Sequence, residues 1–228
     1  METTYVPLGE RLIALSICRH ARARRISLRL SPARDGIVMT LPKRAALAKG
    51  MAFFASKSQW VLSHVEQTPA AKLAEGAVIS LLGNETFIKR GDGRGVATLH
   101  DNILTIYGAP EFTERRVRDF LKKHLQSICL EQARTMAGIL GKTIREVKIR
   151  DTRSRWGSCT ASGILTFNWR LVLAPPEILN YLIAHEVAHL AEMNHSRTFW
   201  EVVARLHPDY KKSRLWLKNH GHTLHRHD

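Results

Sequence analysis

The segment that most constrains this 228-residue chain runs from Pro175 to Met193. Pro175 and Pro176 open a helix, because a proline in the first turn gives up an N–H that has no intrahelical partner anyway. The run Tyr181-Leu182-Ile183-Ala184, then Val187, Ala188, Leu190 and Ala191, leaves that helix apolar nearly all round. Such a helix belongs in a core. Yet it carries His185, Glu186 and His189, and burying two imidazoles and a carboxylate without partners would be strongly unfavourable. A metal ion is the economical partner.

The spacing supports that partner. Residues i and i+4 of an α-helix lie about 40° apart around the axis and about 6 Å along it, so His185 and His189 can meet one tetrahedral ion at about 2.0–2.1 Å. Glu186 is rotated off that axis and is placed to accept a proton from a water on the ion. This is the HExxH arrangement. Glu192 and His195 compete for the third ligand position. One straight helix does not easily wrap three ligands around an ion, which disfavours Glu192. His195 follows a turn expected at Met193-Asn194 and precedes Ser196, an expected N-cap for the next helix. Asn tolerates the left-handed conformation that such a reversal would use. His195 is therefore taken as the third ligand, with water in the fourth position. The spacing from His189 to His195 equals that of the metzincin motif, but Glu192 stands where that motif has glycine.

Composition narrows the class further. With 44% hydrophobic and 24% charged residues the chain reads as globular. No apolar run approaches the roughly 18 residues of a membrane span, and Leu12 to Cys18 is too short and lacks a basic leader, so neither a span nor a cleaved signal is expected. Cys18, Cys129 and Cys159 form no CxxC pair, which fits a reducing cytoplasm better than a disulfide scaffold. Cys159 could be a redox-sensitive thiol or simply a small buried residue.

The net charge of +15 is unevenly spread. Residues 1–50 carry ten basic against three acidic residues, and residues 113–155 twelve against five. From 156 to 228 the count is eight against six, so the segment with the histidines is nearly balanced. Arg19, Arg22, Arg24, Arg25, Arg29 and Arg34 come without an intervening acid. Such clusters attract polyanions through counterion release, so non-specific nucleic-acid or nucleotide binding is an expectation. No module for sequence-specific recognition accompanies them.

Along the chain, alternation over Arg25 to Leu41 predicts two strands around Pro32 to Gly36, and residues 45–67 read as one helix. Val78–Lys89 and Ala97–Tyr107 read as strands around Gly91 to Gly95. Thr113 is an expected N-cap for a long helix to Leu140, whose stripe includes Val117, Leu121 and Leu125. Glu146–Asp151 and Gly163–Asn168 read as strands, Arg197–Leu206 and Pro208–Asn219 as helices, and the histidine-rich tail as a solvated end. The expected fold class is α+β, with a basic β-rich N-terminal subdomain over residues 1–112 and a catalytic domain over 113–228.

Several of these segments together resemble a known family. They are Arg153-Ser154-Arg155-Trp156-Gly157-Ser158-Cys159, Leu165 to Leu171, Ala174-Pro175-Pro176, the HEVAH run, Asn194-His195-Ser196 and Phe199-Trp200. The chain is similar in them to the YgjP-like metallopeptidases, which are related to the SprT and WLM zincins. The resemblance is specific from about Arg150 to Trp200 and looser over the Arg-rich N-terminal strands. It implies a zincin-like domain with one Zn²⁺ on His185, His189 and His195, and Glu186 as general base. It also implies that Arg155 to Cys159 and the next strand lie beside the cleft. The cysteine knuckle that the SprT group often adds is missing.

Other residues are weaker candidates. Arg153 and Arg155 could stabilise an oxyanion, and His207 and Tyr210 could reach the cleft as proton donors. Leu165, Thr166, Phe167 and Asn168 could offer an edge strand to an extended peptide. The leading expectation is a zinc-dependent metallopeptidase acting on protein or peptide in the cytoplasm. The alternatives are a zinc-dependent hydrolase of nucleotide phosphoanhydrides and a basic nucleic-acid-binding protein with a structural metal site. Oligomeric state is not encoded in any of these features.

Overall fold

Period-two burial builds the first sheet. In the computed structural model, which describes residues 2–31, 35–65, 72–152 and 154–227, β1 (Glu2–Leu8) and β2 (Arg11–His20) form a hairpin, with Leu8 opposite Arg11. β3 (Ser27–Leu30) pairs antiparallel with β4 (Gly36–Pro42), as alternation predicted, and β4 lies parallel to β2. The order is β1-β2-β4-β3. Ile13, Leu15, Ile37, Met39 and Leu41 are buried in one cluster with Phe54 of α1 (Leu47–Ser56) and Val61 of α2 (Ser58–His64). The single helix expected over 45–67 is thus two, broken at Lys57, and residues 66 and 67 lie outside the described residues. Of the turn expected at Pro32 to Gly36, residues 32–34 lie outside them as well, and Gly36 is the first residue of β4.

This sheet and its helices form one compact unit, Met1–Ala70, and Ala71–Asp228 forms a second. The boundary expected after residue 112 therefore falls near 70, and a shared core is the reason. β5 (Val78–Leu81), β6 (Asn84–Gly91), β7 (Thr98–His100) and β8 (Ile103–Tyr107) form a sheet of order β5-β6-β8-β7. Its buried Ile79, Ile88, Leu104 and Ile106 belong to the same core as Val117, Leu121, Leu125 and Cys129 of α3 (Thr113–Ile139). Those α3 residues recur every fourth position, the stripe expected of a helix buried along one side. Thr113 is the first residue of α3 and not its cap; the 3-10 turn Pro110–Phe112 leads in, and no side chain caps the helix.

A third sheet carries the chain to the site. β9 (Glu146–Arg150), β10 (Gly157–Cys159) and β11 (Ile164–Asn168) have the order β10-β11-β9, with β9 parallel and β10 antiparallel to β11. The 3-10 turn Trp169–Leu173 follows, then α4 (Pro176–Ala188), α5 (Arg197–Leu206) and α6 (Tyr210–His220). Leu82 N–H donates to Val172 O at 2.8 Å, which ties the second sheet to the turn before α4. The closing 3-10 segment Gly221–His227 is no solvated end: Leu224 and His225 are buried, and His225 packs on Trp156 with ring centroids 5.0 Å apart. No described helix is long and apolar enough to cross a membrane.

Candidate metal centre

The apolar surroundings of α4 are filled as its sequence requires. Ile178, Leu179, Leu182, Ile183 and Val187 are buried in the core of the second unit, and Glu186 is only 4% exposed. The helix stops at Ala188, short of the expected Met193, with His189 in the cap position. A tight turn follows in which Ala191 and Glu192 N–H both donate to Ala188 O. This reversal needs no left-handed residue at Asn194, contrary to expectation. Asn194 O accepts from Ser196 N–H at 2.8 Å instead, and Ser196 Oγ then caps α5 by accepting from Phe199 N–H at 3.2 Å. The result swings His195 back over α4.

The three histidines converge. One ligand atom from each of His185, His189 and His195 lies within 4.8 Å of the others, a grouping that could hold a metal ion. His185 Nε2 and His195 Nε2 are 3.1 Å apart, close to the roughly 3.3 Å that separates two ligand atoms of a tetrahedral ion bound at about 2.0–2.1 Å. His189 Nδ1 lies 3.1 Å from the Glu192 carbonyl. A carbonyl only accepts, so Nδ1 carries the proton and Nε2 keeps its lone pair. An outer-shell carbonyl of this kind fixes the tautomer of a ligating histidine. Burial, followed by the charges of His189 and His195, holds His185 down at about 3, so its ring is neutral at pH 7 and competent to ligate. Its Nδ1 is buried without a hydrogen-bond partner among the described residues. Phe199 lies against all three rings, with centroids 4.9, 4.6 and 4.7 Å from His185, His189 and His195. The donor set is imidazole, which suits zinc among the common ions.

Glu186 faces a different neighbour. Burial pushes its pKa up to about 8, and the charge of Arg155 pulls the other way. The space for its carboxylate is provided by Gly157 on β10. A Cβ at Gly157 would overlap Glu186 Oε1 outright and meet Cδ and Cγ at 2.8 Å. No spacing rule points to Gly157, because the contact joins residues on separate elements.

The remaining candidates divide. Arg155 is exposed but acts electrostatically on Glu186, whereas Arg153 lies outside the described residues. His207 Nε2 lies 3.0 Å from Ser213 Oγ, and Ser213 Oγ donates to Glu177 O, a bridge between α4 and α6; His207 is not among the clustered ligands. Tyr210 stacks on Trp200 at 5.3 Å, and Trp200 in turn lies 5.7 Å from the His185 ring. Leu165, Thr166, Phe167 and Asn168 do not form an edge: β11 is the central strand, and Leu165, Phe167 and Asn168 are buried. Asn168 instead shapes the loop before β10, donating from Nδ2 to Thr152 O and accepting from Arg170 N–H at Oδ1. The strand with an open edge beside α4 is β10. Glu192 contributes its carbonyl and is not among the clustered ligands. Burial, then the charge of Glu186, raises the Cys159 thiol to about 11, so it is not an activated thiolate.

A comparison with protein families decides the relationship. The model of the "YgjP-like, metallopeptidase domain" matches residues 24–220. The chain belongs to the YgjP-like metallopeptidase family. Its mixed α+β architecture agrees with that membership. Among solved structures, the metallopeptidase zymogen abylysin of Pyrococcus abyssi is 25% identical over 40% of this chain and 92% of its own, with a TM-score of 0.35. No curated protein sequence matches the chain.

Proposed function

We propose that this family member is a zinc-dependent peptidase in which His185, His189 and His195 hold one Zn²⁺ and Glu186 is the general base. The observation that carries the reading is the convergence of three imidazoles beside a buried carboxylate. A zinc ion held there would act as a Lewis acid, polarising a scissile carbonyl and lowering the pKa of a water toward 7. Glu186 takes the proton of the attacking water and delivers it to the leaving amine. Its carboxylate must sit at a fixed place to do both, and the gap left by Gly157 provides that place. Glu186 must be ionised to accept that proton; burial opposes this, and the charge of Arg155, joined by that of a Zn²⁺ held on the histidines, would favour the carboxylate. The corrected sheet order makes β10 the strand along which an extended peptide would lie, with main-chain hydrogen bonds holding it against the edge.

Three free cysteines, with the exposed Arg22, Arg24, Arg25 and Arg29 of the first unit, support a cytoplasmic protein that also meets polyanions. The test is hydrolysis of peptides, unfolded protein and nucleoside triphosphates by wild type and Glu186→Gln. Peptide cleavage lost in Glu186→Gln supports the proposal. Triphosphate hydrolysis alone would transfer the same residues to phosphoanhydride chemistry.

A further inference from the structure

Beside the histidines lies a hollow of about 590 Å³, formed by α5, the start of α6 and the loop between them, and lined in part by Arg197, Trp200, Glu201, Tyr210, Lys211 and Arg214. Trp200 is a wall of both places. Its ring is 5.7 Å from His185 and 5.9 Å from His195, and it carries Tyr210 stacked at 5.3 Å. The Arg214 guanidinium sits 4.7 Å from the Trp200 ring centroid.

The cations of this hollow are not equivalent. Arg197 Nε donates to Glu201 at 2.9 Å, and Lys212 outside it pairs with Asp209 at 3.0 Å. Arg214 makes no hydrogen bond or ion pair among the described residues, and α6 offers it no carboxylate three or four positions away. Stacking on Trp200 orients the guanidinium while leaving its N–H fork open, the arrangement that receives a carboxylate in two parallel hydrogen bonds. Trp200 and Tyr210 supply an apolar wall for the methylenes of such a side chain.

Resting on the peptidase reading, we infer that this hollow is a specificity subsite for an acidic side chain of the peptide, with Arg214 receiving its carboxylate. The hollow offers Arg197, Lys211 and Arg214 against Glu201, which Arg197 already engages, and the planar Arg214 fork held on Trp200 matches a single carboxylate in two parallel hydrogen bonds. A peptide residue spans about 3.3–3.6 Å, so with Trp200 lining the hollow and its ring 5.7 Å from that of His185, the acidic side chain belongs to a residue adjacent or next but one to the scissile bond.

Two experiments test the inference. A peptide library of known composition is digested with zinc-loaded wild type, Arg214→Ala and Arg214→Glu, and the cleavage sites are read by mass spectrometry. Wild type should be enriched about tenfold in Asp and Glu at one fixed position, Arg214→Ala should lose the enrichment, and Arg214→Glu should select Lys and Arg there. Peptide cleavage without acidic enrichment, or enrichment that survives in Arg214→Ala, overturns the subsite and leaves the peptidase reading intact. Nucleoside triphosphate hydrolysis without peptide cleavage overturns both. The second experiment needs no turnover: zinc-loaded Glu186→Gln is titrated calorimetrically with an alternating Ala-Glu peptide and its Ala-Gln counterpart. Tighter binding of the Ala-Glu peptide that disappears with Arg214→Ala supports the subsite, and equal affinities refute it.

Discussion

Replacing Gly157 by Ala should disable the site without touching a metal ligand. The added Cβ would overlap Glu186 Oε1 and stand 2.8 Å from Cδ and Cγ, where ordinary contact begins at 3.4 Å. The carboxylate must then retreat by roughly 1 Å, and a displacement of that size costs on the order of 100-fold in rate, or about 3 kcal/mol of transition-state stabilisation. Gly157 does not have a positive φ, so Ala strains no backbone and the effect acts through the side chain alone. Overpacking of this kind typically costs about 1–3 kcal/mol of stability. The assay is kcat and KM on a peptide taken from the wild-type digest, with bound zinc measured on the same sample. A fall of about two orders of magnitude in kcat at unchanged zinc content is expected. Turnover within a few-fold of wild type would show that Glu186 does not need this position.

Three further outcomes follow from the geometry. Burial holds His225 at about 4, below the unfolded value near 6.5, so its neutral form stabilises the fold. That stability is complete above about pH 6.5 and is lost progressively as pH drops toward 4; urea unfolding of His225→Phe should show a flatter dependence, and an unchanged slope would count against it. Ser196→Ala removes the cap of α5 and should cost about 1 kcal/mol, while weakening zinc binding because His195 precedes the cap. Competition with a chelator measures the second effect, and undiminished zinc affinity would separate the cap from the site. If the first unit binds DNA, replacing Arg22, Arg24 and Arg25 with Ala should reduce the slope of log K against log salt by about 0.9 for each phosphate that is no longer neutralised.

How much of the molecule is legible in the sequence follows the range of the interactions involved. The period of α3, the apolar girth of α4 and the i, i+4 histidine pair are local, and each is readable from a few neighbouring residues. His195 is reachable because Ser196 marks the restart of helix so close to His189. The role of β11 is not, since a strand's rank in its sheet depends on pairing with β9 and β10, and the buried Phe167 looks the same in an edge strand or a central one. The hairpin of β1 and β2 escapes notice although Ile13 and Leu15 alternate into the core, because a short apolar run so near the N-terminus reads first as a possible leader. The tail misleads through its histidines: Leu224 and the packing of His225 on Trp156 anchor it. Gly157 and Arg214 act on groups carried by other elements, so their importance is visible only in three dimensions.

In the proposed site three histidines hold a zinc ion that Glu186 uses. Zinc content and peptide hydrolysis measured together on wild type, Glu186→Gln and the His185→Ala, His189→Ala double variant decide it. The double variant also guards against zinc held by the tail histidines. One zinc per chain in wild type and Glu186→Gln, none in the double variant, and hydrolysis in wild type alone is the expected result. Zinc retained by the double variant, or a Glu186→Gln protein that still cleaves peptides, would contradict the claim.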